Sequence, residues 1–401
     1  MRSEWHQLIV GDVVELVIDY RGKTPKKLGG DWSNSGYRAL SAKNIKMGQI
    51  VQPETIRFVD EEMYKKWMKE EIRKGDILIT SEAPFGQVFY WDSEEKIVLS
   101  QRLFGLRIKK EYYSKYIYYY MRTSYFQGEL DAHSTGTTVV GLRQPELLNC
   151  KLMCPDYAIQ KKIATILQTI DDIIINNCRI NDNLEQQARA YFQELFVDNA
   201  DSEWTLGTVS DLGAVVGGST PSKSKPEYYT KEGIAWITPK DLSINKSKFI
   251  SHGENDITEL GLKNSSASIM PEGTVLFSSR APIGYIAIAS GEVTTNQGFK
   301  SVVPKPEIGT AFVYYFLKHN LPVIEGMASG STFKEVSGST MKNVPAIIPD
   351  TETLACFNDF CTPIFAQQRI LEEQNQSLAA LRDSLLPKLM SGEIDVAGLQ
   401  L

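Results

Sequence analysis

Cysteine is scarce in this chain, which argues against a disulfide framework and against a zinc-binding module. The 401 residues include five cysteines, an odd number that cannot pair completely. Neither Cys150 and Cys154 nor Cys356 and Cys361 have the spacing of a paired C-x-x-C motif with nearby histidines. We therefore expect buried, reduced thiols and no metal site.

Long apolar runs are also missing, so the sequence predicts no transmembrane helix. No segment approaches the roughly 18 consecutive apolar residues that such a helix requires. The start of the chain carries Glu4, Trp5 and His6 where a secretory signal would have its apolar core. We expect a cytoplasmic protein.

An excess of positive charge is lacking as well. The net charge is −6, which is the wrong sign for a protein that binds a nucleic acid over its whole surface. The net negative charge arises in two segments, 157–203 and 351–401, where acidic residues outnumber basic ones. Nucleic-acid binding would therefore be confined to the remaining parts of the chain.

The length and composition are those of an ordinary globular protein with more than one domain. Hydrophobic residues make up 42% and charged residues 23% of the sequence, so a disordered or fibrous chain is excluded. A chain of 401 residues is longer than one hydrophobic core usually fills.

The sequence is a tandem repeat with a period of about 195 residues. Trp5 matches Trp204, and Gly22-Lys23-Thr24-Pro25 matches Gly218-Ser219-Thr220-Pro221. Further matching segments follow in the same order: Leu40–Ile45 with Ile237–Leu242, Gly75–Ser81 with Gly273–Ser279, Ala83–Gly86 with Ala281–Gly284, Gln101 with Gln297, Tyr116–Tyr120 with Phe312–Phe316, and Thr135–Thr138 with Ser329–Thr332.

The first part of each copy predicts a mixed α/β domain. Short β-branched runs such as Ile77–Thr80 and Val275–Phe277 lie between glycines and prolines and are typical of strands. Aromatic helices are expected near 112–122 and 310–318. We interpret their tyrosine runs as core or interface residues rather than as platforms on which bases stack.

The second part of each copy predicts a long helix with a heptad pattern. In the first copy the apolar seam is Ile163, Ile170, Asn177, Leu184 and Tyr191, with Ile166, Ile173 and Ile180 three residues after its first members. In the second copy the seam is Phe357, Ile364, Leu371, Leu378 and Leu385.

Helices of about 30 to 40 residues are roughly 45 to 60 Å long, which suits a spacer. Each apolar stripe needs a partner, so we expect the two helices to pack on each other as an antiparallel coiled coil with the globular domains at opposite ends. Asn177 on the seam either sets the register or is merely tolerated. Pro363 predicts a break or kink just before it, with the continuous part beginning near Ile364, and Pro387 marks the end of the helix.

This architecture resembles the specificity subunit of type I restriction-modification enzymes over the whole chain. The final helix closes on the segment Leu386–Val396, and Cys154-Pro155 followed by Gln160–Ala164 resembles the first conserved region of that family. The resemblance implies two target recognition domains, residues 1–155 and 204–350, which each read one half of a split DNA site. The segments 156–203 and 351–401 are then the spacer helices.

The resemblance also implies the partners. The helices would dock two modification (methyltransferase) subunits that carry S-adenosylmethionine, and restriction subunits could join the complex. The chain itself would bind double-stranded DNA and hold no cofactor. The acidic helices fit this arrangement, because surfaces that face partner proteins need not attract DNA.

Candidate DNA contacts are polar or basic residues on loops, where a scaffold presents them to base edges and phosphates. In the first domain they are Arg21, Lys23, Lys26, Lys43, Asn44, Arg102, Thr135, Thr137, Thr138 and Arg143. In the second domain they are Ser219, Thr220, Lys223, Lys240, Ser279, Arg280, Asn296, Gln297, Ser331, Thr332 and Lys334.

Each of these residues also has a purely structural interpretation. Gly-x-Thr-Pro is an ordinary turn sequence, and a single surface lysine is usually just solvated. The hydroxyl residues around Gly136 and Gly330 are favoured as contacts, because glycine allows the backbone to approach a phosphate closely. Arg280 corresponds to Glu82, so the two domains should not read the same bases there.

The alternative functions are a single-chain adenine methyltransferase and a coiled-coil scaffold. The sequence has no Asn/Asp-Pro-Pro-aromatic tetrapeptide for a flipped base and no glycine-rich turn for a methyl donor. Gly22-Lys23-Thr24 is not a P-loop, because Val17 stands where the motif requires glycine. No acidic pair with a nearby lysine suggests a nuclease, and a scaffold would leave the two globular domains unused.

Overall fold

The computed structural model describes residues 5–136, 140–330 and 334–399. They form two units of mixed α/β structure, as the sequence predicts. The first unit combines the chain up to Ile173 with the segment from Ser377 onward, and the second unit comprises Ile174–Gln376. Each unit contains the α/β part of one copy of the duplicated sequence, and we call these α/β parts the first repeat and the second repeat.

The first repeat consists of short strands and helices. Its strands are β1 (His6–Ile9), β2 (Val14–Asp19), β3 (Tyr37–Leu40), β4 (Ile45–Lys46), β5 (Gln49–Ile50), β6 (Arg57–Val59), β7 (Ile77–Thr80), β8 (Val88–Tyr90), β9 (Val98–Leu99), β10 (Leu103–Ile108) and β11 (Lys151–Cys154). Its helices are α1 (Val10–Val13), α2 (Glu61–Trp67), α3 (Ser114–Met121), α4 (Ser124–Ala132) and α5 (Gln144–Asn149), and the long helix α6 (Tyr157–Gln193) follows.

The second repeat has a similar order of elements. Its strands are β12 (Thr205–Thr208), β13 (Gly213–Gly217), β14 (Tyr229–Thr230), β15 (Ile234–Ile237), β16 (Phe249–Ile250), β17 (Asn255–Ile257), β18 (Val275–Ser279), β19 (Ile283–Ala289), β20 (Thr294–Thr295), β21 (Lys300–Pro304) and β22 (Pro345–Ile348). Its helices are α7 (Val209–Leu212), α8 (Pro239–Ile244), α9 (Glu259–Lys263), α10 (Thr310–His319), α11 (Leu321–Gly326) and α12 (Gly338–Lys342), and α13 (Thr351–Met390) follows. Its main differences from the first repeat are β14, α8 and β16.

Matching sheets confirm the duplication. The first repeat has a sheet in the order β2-β10-β7-β8, and the second has β13-β21-β18-β19-β16. A smaller sheet, β6-β3-β9, corresponds to β17-β15-β20, and in both of them the last pair is parallel. The two ends of each repeat pair with each other, β1 with β11 and β12 with β22.

The apolar strands predicted from the sequence are buried on both faces. Side chains alternate across a strand, so Ile77 and Ile79 contribute to one hydrophobic core while Leu78 contributes to another. In β18, Val275 and Phe277 face one core and Leu276 the other. The main sheet of each repeat therefore lies between two cores.

The aromatic helices α3 and α10 are core elements, as predicted. Tyr116 and Tyr119 are 0% and 2% exposed, and Tyr314 and Tyr315 are 4% and 2% exposed. Several of their hydroxyls find partners inside the fold, as when Tyr116 donates a hydrogen bond of 2.7 Å to the carbonyl oxygen of Met153. Such side chains have no free face on which a base could stack.

The second long helix, α13, extends past both of its prolines. α13 is continuous from Thr351 to Met390, so the predicted break before Pro363 is wrong, and the helix ends three residues after Pro387. A proline removes a single backbone donor. Cys361 and Ile364, on either side of Pro363, are buried in the core of the second unit, and this packing keeps the chain helical.

In both units, α6 and α13 contact each other in antiparallel order. In the second unit Asn177 donates a hydrogen bond of 2.9 Å to Asn375, and Gln368 donates one of 3.2 Å to the carbonyl oxygen of Asn181. In the first unit Asp171 of α6 accepts a hydrogen bond of 2.8 Å from Arg382 of α13. The predicted seam residues are buried or half-buried: Ile163, Ile170, Asn177, Leu184, Tyr191, Phe357, Ile364, Leu371, Leu378 and Leu385.

The second position of the predicted heptad differs from the structure. Ile173 and Ile180 are 43% and 38% exposed, although the pattern suggested that they flank the seam. The side chains that do so lie four residues after the seam positions, for example Leu167 and Ala188, which are both fully buried. Spacings of three and four alternate along a heptad, so the sequence pattern alone allowed either choice.

A buried ionic cluster attaches the second repeat to the long helices within the second unit. The Lys248 ammonium contacts Glu185 of α6 at 2.5 Å and donates a hydrogen bond of 2.6 Å to Gln368 of α13. Burial opposes ionisation of Glu185, but Lys248 and Lys318 outweigh burial and hold the pKa of this carboxyl at about 2. The corresponding cluster of the first unit is centred on a carboxylate, Asp171.

Three of the five cysteines are buried, as the sequence analysis expects, and two are not. Cys150, Cys154 and Cys361 are buried, whereas Cys178 and Cys356 are exposed on the long helices, where packing covers one side of the helix.

Among the described helices, none combines the length and apolar character needed to cross a lipid bilayer.

Candidate nucleic-acid interface

A cleft lies at the ends of two parallel strands in the second repeat. β15 and β20 run in the same direction, so the residues that follow them, Thr238 and Asn296, emerge at the same edge of the sheet. The space there, the second cleft, has a volume of about 700 Å³. Six of the predicted DNA contacts line it: Thr220, Lys223, Lys240, Arg280, Asn296 and Gln297.

The floor of this cleft is fixed by a helix cap. The Asp241 carboxylate accepts hydrogen bonds from the amide of Thr238 at 2.7 Å and from its hydroxyl at 2.6 Å. Its other oxygen accepts a bond of 2.8 Å from the amide of Glu254. This cap stabilises the start of α8 and directs Lys240 outward.

Gly218 explains how the Gly-Ser-Thr-Pro loop borders the cleft. A Cβ atom at this position would lie 1.8 Å from the carbonyl oxygen of Asn296, so any larger residue would push the two segments apart. Ser219 is tied to the same strand end, because its amide donates a bond of 2.8 Å to Thr295. Its carbonyl accepts one of 3.0 Å from the indole of Trp236.

Cations of the second cleft are partly neutralised by neighbouring carboxylates. Lys240 pairs with Glu254, and this carboxylate raises the pKa of the lysine. Arg280 lies 3.3 Å from Glu335. Within the described residues, no ion pair involves the ammonium of Lys223. Paired cations at a rim can exchange a carboxylate for a phosphate, whereas Lys223 is available directly.

The first repeat has an equivalent but smaller cleft of about 190 Å³, the first cleft. Strands β3 and β9 are its parallel pair, and Ser41 and Ser100 follow them. Lys43 and Gln101 line it at the places that Lys240 and Gln297 occupy in the second cleft. Arg57 and Trp32 add a cation and an aromatic ring.

A family model decides the family of the chain. The type I restriction modification DNA specificity domain matches residues 2–186 and again residues 201–381. The chain belongs to the type I restriction modification DNA specificity family. Its two matched regions are the two halves of the duplication, and the specificity domain thus occurs here in two copies.

Individual relatives agree with this family. The MjaIX specificity subunit of Methanocaldococcus jannaschii is 40% identical over 191 residues, which cover 45% of this chain and 44% of that protein, less than half of its length. The HindI specificity subunit of Haemophilus influenzae is 25% identical over 418 residues, covering 81% of this chain and 88% of that protein.

The fold of this chain is similar to that of a solved structure. The crystal structure of the S subunit of a type I restriction-modification system from M. genitalium superposes with a TM-score of 0.62. The alignment covers 97% of this chain and 96% of that one at 16% sequence identity. The arrangement of two repeats and two long helices is therefore a fold shared with that subunit.

Asn44, one of the predicted DNA contacts, has a structural role in the fold. Asn44 is 1% exposed, and its amide bonds to Ser41, Val51, Gln52 and Thr55, so it cannot face DNA. It is the counterpart of Asp241 and caps the same turn. Asn44 was selected because it follows Lys43 on the same loop, but its side chain points into the fold.

Ser279 and Arg21 also make contacts within the fold. Ser279 is fully buried, and its hydroxyl donates a bond of 3.1 Å to the carbonyl of Gly298. The Arg21 guanidinium is held by Asp19 through two bonds of 2.9 Å, donates to the carbonyl of Leu142, and lies 3.9 Å from the ring centroid of Phe104. These contacts leave Arg21 little freedom to reach a phosphate.

The other predicted contacts do not line either cleft but are at least partly exposed. Lys23 donates a long bond of 3.3 Å to the carbonyl of Trp67, and Arg102 lies 3.2 Å from Glu82. Ser219 belongs to the Gly-Ser-Thr-Pro loop described above. The remaining exposed members are Lys26, Thr135, Arg143 and Lys334. Thr137, Thr138, Ser331 and Thr332 lie outside the described residues.

Sequence reasoning missed cleft residues that come from the neighbouring antiparallel strands. Arg57 of β6 and Asn255 of β17 line the first and second clefts, as do the aromatic side chains of Trp32 and Trp236. A search for loop residues passes over strand residues. An alignment of the strands of the two repeats would have placed Arg57 and Asn255 at equivalent positions. Among the described residues, no group of three or more metal-ligating side chains is found.

Proposed function

We propose that this chain is the sequence-reading subunit of a type I restriction-modification methyltransferase, with each repeat reading one half of an interrupted, asymmetric DNA target. The observation that supports this most directly is the pair of equivalent clefts. They share Lys43 and Lys240 and the glutamines Gln101 and Gln297, but differ in several other polar residues. Shared groups suit the DNA backbone, which is the same everywhere, and differing groups suit different bases.

We assign residues 1–155 and 204–350 as target recognition domains and residues 156–203 and 351–401 as the spacer helices with the C-terminal tail. The chain performs no chemistry in this proposal. Two modification subunits dock on the helices and carry S-adenosylmethionine, and restriction subunits complete the cleaving form of the complex. The complex works in the cytoplasm, where it meets the DNA that it modifies.

Methyl transfer tests the division of labour. The purified chain is incubated with DNA and a labelled methyl donor, first alone and then with its modification subunits. We expect label in DNA only when the modification subunits are present. Methyl transfer by the rigorously purified chain would refute the proposal in favour of a single-chain methyltransferase.

Mapping of methylated adenines in the host genome tests the reading of DNA. We expect an asymmetric motif of two different half-sites separated by a fixed number of unread base pairs. A continuous palindrome would contradict the assignment of one half-site to each repeat, since the two clefts are not alike.

The spacer role is tested by lengthening both helices by one heptad. Insertion of seven residues after Ile173 and of seven before Ser377 leaves the contacts inside each unit in register and adds about 10 Å to each helix. With about 3.4 Å per base pair, we expect the unread gap to grow by about three pairs while the bases of both half-sites stay unchanged. A change in the bases themselves would contradict the spacer role.

A further inference from the structure

Strand pairing places Arg57 and Asn255 at the same position of the two repeats. In the first repeat, Arg57 lies opposite Ala39 of β3, which in turn is paired with Val98 of β9. In the second repeat, Asn255 lies opposite Trp236 of β15, which is paired with Thr294 of β20. The two residues are equivalent by register, and both line the cleft of their repeat.

Arg57 is exposed and its guanidinium has its donors free. The group lies 5.2 Å from the ring centroid of Trp32, a contact that restricts its orientation without using its N–H groups. Within the part of the chain that the structure describes, no hydrogen bond or ion pair involves this guanidinium. A planar fork with fixed orientation and unused donors is suited to bidentate recognition.

Asn255 is half-buried, and its amide retains unused hydrogen-bonding capacity. Its carbonyl oxygen accepts a bond of 3.3 Å from Lys231, which leaves one lone pair. No partner of its amide nitrogen occurs among the described residues. The amide can therefore donate one hydrogen bond and accept another at the mouth of the cleft.

We propose that these two residues set one base of each half-site, guanine for Arg57 and adenine for Asn255. Arginine makes two hydrogen bonds to the O6 and N7 acceptors of guanine. Asparagine pairs with the N6 donor and the N7 acceptor of adenine. The inference rests on the proposed function and adds to it which position of each repeat chooses a base and which base it chooses.

A phosphate contact does not explain the pair. Asn255 has no charge with which to attract a phosphate, although it occupies the place that Arg57 has in the other repeat. Each cleft also has a lysine beside this position, Lys43 or Lys240, that can serve the backbone. A position that differs between repeats while the neighbouring lysine is shared is expected to carry sequence information.

Reciprocal substitutions test the inference in the complete complex with its modification subunits. The target of each variant is determined by mapping methylated sites in DNA of random sequence. We expect Arg57→Asn to replace a guanine preference by adenine at one position of one half-site, and Asn255→Arg to do the reverse in the other. The preference for the original base should fall by about 10- to 100-fold, and the half-site of the unaltered repeat should stay unchanged.

Arg57→Lys separates charge from geometry. It keeps the positive charge and loses the planar fork, so we expect binding to be retained while the guanine preference weakens. Arg73→Asn and Asn343→Arg are matched controls, because these exposed residues line neither cleft and should leave the target as it is. The unaltered half-site reports in each case that the complex still assembles.

Two results would overturn the inference. The first is an unchanged target in both reciprocal variants. The second is a loss of affinity that is equal for all sequences, which identifies a backbone contact instead. If the unaltered complex recognises no interrupted target, the proposed function itself fails, and this outcome is distinct from an interrupted target that the substitutions leave unchanged.

Discussion

The two repeats share the floor of their clefts and differ at the rim. Asn44 and Asp241 cap the same turn with the same pattern of bonds to the residue three positions earlier. Above the floor, by contrast, Arg280 lines the second cleft and pairs with Glu335, whereas its sequence counterpart Glu82 pairs with Arg102, and neither of these two residues lines the first cleft. Buried polar groups must keep their partners, while groups at a rim can change sign without affecting the fold.

A similar contrast holds for the clusters that attach each repeat to the long helices. In the first unit, the carboxylate of Asp171 lies 3.1 Å from the guanidinium of Arg122 and 2.8 Å from that of Arg382. In the second unit, a buried ammonium, that of Lys248, lies beside Glu185. Both clusters therefore pair a buried charge with an opposite one, but the central charge is negative in the first unit and positive in the second.

The largest effect is expected from breaking the cluster of the second unit. Glu185→Gln leaves the Lys248 ammonium, whose side chain is 6% exposed, without its carboxylate and should lower the free energy of unfolding by about 3 kcal/mol. Denaturant unfolding measures this loss. Glu373→Gln, at an exposed pair with Arg369, is the control and should change stability by less than about 0.5 kcal/mol.

The same variant predicts a change in acid stability. The pKa of Glu185 is about 2 in the fold and 4.5 in its ordinary state, so its contribution is fully present above pH 4.5. The contribution is lost as the pH falls from 4.5 towards 2. Glu185→Gln should flatten the pH dependence of unfolding in this window, and an unchanged acid limb would contradict the assignment.

A smaller and equal effect is expected from the shared caps. Asn44→Ala and Asp241→Ala each remove several hydrogen bonds from a buried site and should cost about 1 to 3 kcal/mol. Thermal unfolding compares them with Asn343→Ala, an exposed asparagine that should have little effect. If one cap proved dispensable, the two floors would not be equivalent.

The rim residues should affect DNA binding and hardly affect stability. Arg280→Ala removes a cation from the second cleft, and we expect roughly tenfold weaker binding and a salt dependence reduced by about one counterion. Glu82→Ala removes a carboxylate from the corresponding sequence position of the first repeat and should strengthen binding slightly, because it releases Arg102 from its ion pair. Titration of DNA at several salt concentrations distinguishes the two. Equal losses would show that the rim acts through structure and not through charge.

The smallest effect concerns the polar pair on the helix seam. Asn177→Leu leaves the side-chain oxygen of Asn375 without the donor shown here and should cost about 1 kcal/mol. The double variant with Asn375→Leu replaces both polar groups and should be close to neutral. A large loss in the double variant, measured by denaturant unfolding, would instead favour a register-setting role for Asn177.

Local patterns predicted the fold well because the duplication repeats each of them. The apolar run Ile77–Thr80 and its counterpart Val275–Phe277 indicated central strands, and the heptads indicated α6 and α13. The prediction failed at Pro363, where packing of the neighbouring turns outweighs the loss of one hydrogen bond. Tertiary contacts of this kind leave no local signal in the sequence.

Some of the residues that line the clefts were among the loop residues selected from the sequence. Lys240, Asn296 and Gln297 follow strands that end at one edge, and loop position was a sufficient guide to them. It was misleading for Asn44, because a residue that caps a turn and a residue that points outward can be neighbours in sequence. Arg57 reaches its cleft through antiparallel pairing of β6 with β3, which local periodicity does not reveal.

The pairing of β1 with β11 and of β12 with β22 also affects how such a chain can change over generations. His6 lies opposite Cys154 and Thr205 opposite Ile348, so each repeat begins and ends at one spot on its scaffold. A genetic crossover at each of these two points replaces a whole repeat as a cassette, and the new repeat has to keep the contacts with the long helices that Arg122 and Lys248 make here. Under the proposed function, one recombination event would therefore supply a new half-target without a series of intermediate substitutions.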